Sequence, residues 1–176
     1  MDIKEYSEFV QSTMQPGSYD RQLHHFYLGL VGEWGEFCEP LKKYLFFGKP
    51  MDDDAMLLEL GDVVWYAVAL LNLTTDVGHR ERYWRPIVHH IFGDSLEQNV
   101  FLMSNVIGRA AEFLTNGLGE DGKLEFAQWL FWVLRYANSI ATLYFDSSLR
   151  DVMDRNVQKL TKRQDNLEND VWEDEF

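Results

Sequence analysis

Glu59 and Asp62 stand three residues apart inside the stretch 55–73, Ala-Met-Leu-Leu-Glu-Leu-Gly-Asp-Val-Val-Trp-Tyr-Ala-Val-Ala-Leu-Leu-Asn-Leu. On a helix this spacing puts both carboxylates on one face, one turn apart. The run around them is apolar on nearly every side, so as a helix it is buried almost all round. Acids are almost never fully buried unless something pairs them, and an unpaired one takes up a proton instead. A cation must therefore sit near them, either a basic side chain or a metal. Upstream, Glu33 and Glu36 flank Trp34 at the same spacing. If the two helices pack antiparallel, Glu33 and Glu36 face Glu59 and Asp62. Four hard oxygen donors in one place suit Mg²⁺ or Mn²⁺. Mg²⁺ held by carboxylates favours phosphate chemistry, because it neutralises a polyphosphate and acidifies water, whose proton a spare carboxylate can take. Either acid pair alone is an ordinary solvated helix spacing. The apolar setting of Glu59 and Asp62 singles this set out. A di-iron bundle wants Glu-x-x-His pairs, and no histidine here has a Glu three residues before it.

The elements that must position these acids read as helices throughout, so the fold class is all-α, a helical bundle. Apolar periodicity predicts helices over about 3–15, 19–46, 55–76, 95–116, 123–145 and 148–164, with a less regular segment, 79–92, broken around Pro86. Pro40 lies inside the second of these and predicts a kink or break there. Chain length fits one domain, residues 1–164. Residues 165–176 hold six acids and no base, and are expected to be an acidic mobile tail. The net charge is −13, which argues against a nucleic-acid partner. The single cysteine, Cys38, fits packing in a reducing compartment. The opening Met-Asp-Ile-Lys-Glu lacks a leader pattern, and the 55–73 run carries two acids and no basic flank. The expectation is a soluble, cytoplasmic protein without a membrane span.

Two parts of the chain echo each other. Val31-Gly-Glu-Trp-Gly-Glu-Phe37 resembles Ile107-Gly-Arg-Ala-Ala-Glu-Phe113, and Glu59-Leu-Gly-Asp-Val-Val-Trp-Tyr resembles Glu125-Phe-Ala-Gln-Trp-Leu-Phe-Trp, with Asn72 and Asn138 in the same frame. The echo suggests an internal pseudo-repeat, a first copy over about 19–78 and a degenerate second over about 95–164. In the second copy Arg109 replaces Glu33 and Gln128 replaces Asp62.

Gly29-Leu-Val-Gly-Glu-Trp-Gly-Glu-Phe followed by Glu59-Leu-Gly-Asp-Val-Val-Trp-Tyr resembles the MazG-like all-α nucleoside triphosphate pyrophosphohydrolases, whose motif is Glu-Glu-x-x-Glu, a spacer, then Glu-x-x-Asp. Gly32 stands where the first Glu of that motif would be. Asn156-Val-Gln-Lys-Leu-Thr-Lys-Arg163 is similar to the ending of such proteins. The resemblance covers about 23–73 and 149–163. It implies Mg²⁺-dependent cleavage of a nucleoside triphosphate, a dNTP above all, to monophosphate and pyrophosphate. It further implies a homodimer, or an intrachain pseudo-dimer with one working site as in the dimeric dUTPase branch. Glu33, Glu36, Glu59 and Asp62 would bind the metal and activate water. Lys159, Asn156 and Lys43 are candidates for phosphates or sugar, and Tyr66 for the base. The rival reading is a catalytically weak nucleotide- or metal-binding protein that acts through a protein partner, its acidic tail docking Trp172 and Phe176 on a basic groove.

Overall fold

A computed structural model describes residues 1–76, 78, 80 and 95–173, with the backbone alone for 120, 121 and 167–173. Six helices make up the described residues: α1 (Ile3–Thr13), α2 (Tyr19–Phe47), α3 (Asp53–Thr74), α4 (Leu96–Asn116), α5 (Glu120–Tyr144) and α6 (Leu149–Glu173). No strand occurs among them. The expected segment 79–92 lies outside the described residues apart from Arg80.

Each helix begins where local chemistry dictates. Asp2 accepts from the Glu5 amide while Glu5 reaches back to the Asp2 amide, a reciprocal cap that opens α1. Asp52 caps α3 through the Ala55 amide and Ser95 caps α4 through that of Gln98. Ser148 and Asp151 cap each other at the start of α6. Gly48 ends α2 in the left-handed region, φ 61°, which a residue without Cβ adopts freely.

The predicted break at Pro40 does not occur, and α2 runs through it to Phe47. Phe37 and Leu41, on either side of the proline, are both locked in the core. The helix hydrogen bond that proline forfeits would have gone to the carbonyl of Glu36, an exposed residue that water can reach. The predicted end of the last helix at 164 also needs correction. No Gly or Pro follows Leu149, and the Lys, Arg, Gln, Leu and Glu residues there favour helix, so α6 continues to Glu173 although 161–166 are all exposed.

α3 is the axle. It packs against α1, α2, α5 and α6, and α2 and α4 also touch. Leu60, Val63, Val64, Ala67, Val68, Leu70 and Leu71 are sealed from water, each large side chain among them stabilising the fold by about 1.5–3 kcal/mol. Among the described residues α3 alone is long and apolar enough to cross a membrane by length and composition, but most of it is buried inside the bundle. Two hairpins result, α2–α3 and α4–α5. They are tied across α2 and α4 by Tyr27 O–H donating to the Ile107 carbonyl at 2.9 Å and Trp34 Nε1 donating to Ser104 Oγ at 2.9 Å.

Candidate functional site

The short turn after Gly48 folds α3 back along α2, and the two acid pairs meet. Glu33, Glu59 and Asp62 each offer an oxygen within 4.8 Å of the others, and all three are half-buried. Glu36 lies outside this triangle. It is exposed, and with Glu59, Glu39 and Asp52 it lines a neighbouring groove of about 280 Å³.

The third wall is α6. Lys159 pairs with Asp62 Oδ2. Asn156 Nδ2 donates to Asp62 Oδ1 at 2.7 Å. The Asn156 amide is fully buried, and its oxygen accepts from Tyr6 O–H of α1 at 2.9 Å. A chain of bonds therefore runs from α1 through α6 to the carboxylate on α3. It needs α6 to approach α3 closely. Gly61 permits this, since a Cβ there would sit 3.0 Å from Asn156 Cβ.

One lysine does not balance three clustered acids. Among the described residues neither Glu33 nor Glu59 has a hydrogen-bond or ion-pair partner. Burial, followed by repulsion from Asp62, Glu36 and Glu59, pushes the Glu33 carboxyl up to about 7, against an opposing pull from Lys159. Glu59 is raised too, chiefly by burial, with Asp62 and Glu36 adding and Lys159 opposing. Burial pulls Lys159 down, but its bond to Asp62 and the charges of Asp62, Glu59 and Glu33 outweigh that and raise it. These half-buried oxygens with excess negative charge form a donor set fitted to a hard divalent cation.

A cavity of about 410 Å³ opens beside the acids. It is lined by Glu33, Asp62 and Lys159, by Phe26, Trp65 and Tyr66, and by Thr13, Gln15, His25, Leu160, Arg163 and Gln164. Its aromatic wall is held from behind. Trp65 stands edge-on to Phe26 at 5.8 Å and to Tyr66 at 4.9 Å, and its Nε1 donates to Thr13 Oγ1 at 3.1 Å. Tyr66 lies flat on Gly29, where a Cβ would meet the ring at 2.1 Å.

Of the residues singled out in the sequence, Glu33, Glu59, Asp62, Tyr66, Asn156 and Lys159 come together, and Glu36 stands at the rim. Lys43 does not join them; it bonds to Glu39 at 3.4 Å, exposed near the end of α2. Sequence reasoning overlooked Tyr6, which no spacing links to residue 156, and Phe26 and Trp65, whose helical periodicity reads as plain core. Arg163 closes the quoted ending, which was a usable signal. Compared with family models, curated proteins and solved structures, the chain matches none.

Proposed function

We propose that the chain is a Mg²⁺-dependent hydrolase, able to use Mn²⁺, that cleaves a nucleoside triphosphate, dNTPs foremost, to the monophosphate and pyrophosphate. The observation that carries this reading is the half-buried triangle of Glu33, Glu59 and Asp62, short of positive charge, two of whose acids, Glu33 and Asp62, line a cavity with basic side chains and aromatic rings. The all-helical fold is compatible with that of the MazG-like enzymes that the sequence resembles.

Glu33, Glu59 and Asp62 would hold the ion, with Glu36 at the rim. When bound, the ion offsets phosphate charge and acidifies water. Glu33 lines the cavity and is placed to take a proton from water with an oxygen that the ion does not use. Lys159 and Arg163 supply donors to phosphate oxygens. Trp65 and Tyr66 give a flat apolar wall for a base. Asn156 and Tyr6 fix the orientation of the Asp62 carboxylate.

The ion pair between Lys159 and Asp62 supports a second reading, a nucleotide-binding protein with weak or no turnover, because that pair occupies one oxygen of the donor set. Incubation with a panel of canonical and damaged dNTPs and NTPs separates the two. Monophosphate and pyrophosphate, lost with a chelator and in Asp62→Asn, support the hydrolase. Nucleotide binding without turnover supports the second reading, and neither binding nor turnover refutes both.

A further inference from the structure

The two oxygens of Asp62 are held in different ways. Asn156 Nδ2 donates to Oδ1 at 2.7 Å. That amide is fully buried and its own oxygen accepts from Tyr6 O–H at 2.9 Å, so it is bonded on both sides and has nowhere to turn. Oδ2 is taken by the Lys159 ammonium, and this partner can move. The Lys159 side chain is 37% exposed against 14% for that of Asp62, and its flexible four-carbon stem carries a compact charge that can be aimed elsewhere. With Oδ1 facing the buried amide, Oδ2 is the oxygen that a divalent ion beside Glu33 and Glu59 meets, and the ammonium is already on it.

We propose that Lys159 is a displaceable counter-ion: it leaves Asp62 when a divalent ion takes its place among Glu33, Glu59 and Asp62, and it turns its ammonium to the polyphosphate in the adjoining cavity. The inference rests on the metal-site reading above and adds a coupling to it. An ion on Oδ2 would stand no more than about 5 Å from an ammonium on the same oxygen. Like charges this close in a half-buried site repel strongly. Of the two side chains bonded to Asp62, Asn156 is locked and Lys159 reaches solvent, so Lys159 is the one that yields. It also has a destination. Lys159 lines the cavity of about 410 Å³, one helical turn before Arg163 and facing the same space as Trp65 and Tyr66. While Lys159 sits on Asp62, the ion has an ammonium to expel and the polyphosphate has one donor fewer. An ion that expels Lys159 frees a donor for phosphate, and a phosphate that draws Lys159 away uncovers an oxygen for the ion. Each therefore tightens the binding of the other, by the same factor.

Release of the ammonium can be read on the full, unmodified chain by acetylating its lysines with an N-hydroxysuccinimide ester and locating the label by mass spectrometry. Saturating Mg²⁺ should raise labelling of Lys159 several-fold while the exposed Lys4 is unchanged, and tripolyphosphate added with the Mg²⁺ should lower it again. The coupling is read in Lys159→Met, through Mn²⁺ binding by electron paramagnetic resonance and tripolyphosphate binding by calorimetry in excess Mg²⁺. This variant should bind Mn²⁺ about tenfold more tightly than the unmodified chain and tripolyphosphate about tenfold more weakly. A lysine that only contacts phosphate would leave Mn²⁺ binding unchanged, and one that only balances the acids would leave tripolyphosphate binding unchanged. Either result overturns the proposal, as does Lys159 labelling that Mg²⁺ fails to raise, or tripolyphosphate that does not bind the unmodified chain. In each of these cases Mn²⁺ binding that is lost in Asp62→Asn still upholds the metal site. No Mn²⁺ binding, or binding that Asp62→Asn leaves intact, refutes the metal site and the proposal with it. The labelling measurement decides even where Lys159→Met does not fold.

Discussion

The two hairpins carry similar sequence and reach different ends. In α2–α3, Glu33, Glu59 and Asp62 are drawn half out of water and packed within 4.8 Å of one another. In α4–α5, the positions that echo them face solvent: Arg109 and Glu112 pair at 3.1 Å on the surface, and Glu125 and Gln128 are exposed. Helix spacing alone does not make carboxylates unusual; cover does. α6 lies more extensively on α3 than on α5 and brings Asn156 and Lys159 to Asp62. The echoed asparagines show the opposite behaviour. Asn72 exchanges bonds with Ser7 of α1, at 2.6 and 2.9 Å, and Asn138 accepts from the Leu149 amide at 3.3 Å. Each ties down a neighbouring helix, α1 for Asn72 and α6 for Asn138.

The contrast can be broken most directly at the acids. Asp62→Asn should cost at least about 100-fold in kcat/KM for triphosphate hydrolysis with helicity retained, while Glu125→Gln should change it by less than about twofold. Equal effects in steady-state kinetics would end the distinction between the hairpins. Next in size, Asn156→Ala removes the partner of both the buried Tyr6 hydroxyl and Asp62 Oδ1. It should cost about 2–3 kcal/mol in urea unfolding.

Glycines sharpen the comparison. Gly29→Ala drives a methyl into the Tyr66 ring, so it should destabilise by about 1–3 kcal/mol and disturb the cavity wall. A subtler effect comes from pH. The Glu33 carboxyl is raised to about 7, so between its ordinary value and 7 the folded chain holds a proton that the unfolded chain has lost. That contribution to stability disappears as pH rises through about 7. Added Mg²⁺ should accordingly raise the melting temperature more at pH 8 than at pH 6, checked by differential scanning fluorimetry. Smallest of all, Gly108→Ala meets nothing within 4 Å on the second hairpin and should stabilise by about 0.4–1 kcal/mol through the unfolded state.

Much of this architecture is legible in the chain because periodicity and caps are local. Ile3, Tyr6 and Val10 announce α1, and Asp52 and Ser95 announce the starts of α3 and α4. Acids inside an apolar run are legible as well, since burial without a cation is costly wherever it occurs. Pro40 reads as a break because propensity is local, whereas Phe37 and Leu41 are held by distant residues. Tyr6 is separated from Asn156 by 150 positions, and no spacing rule spans that distance. Lys43 follows the acid motif closely in sequence, yet pairs with Glu39 once helix geometry is imposed.

Tyr6 also gives α1 a role beyond packing. α1 has eleven residues, too few to hold a helix in water alone, and it is kept in place by docking on α3. Every molecule in which α1 has lifted lacks the donor that orients Asn156. The apparent affinity of any ligand that needs Asp62 aligned then scales with the fraction of chains whose first helix is seated. Seating of the first helix thus sets the gain of the pocket, as a rheostat sets current, through Tyr6 behind the acids and through Thr13 on the cavity wall.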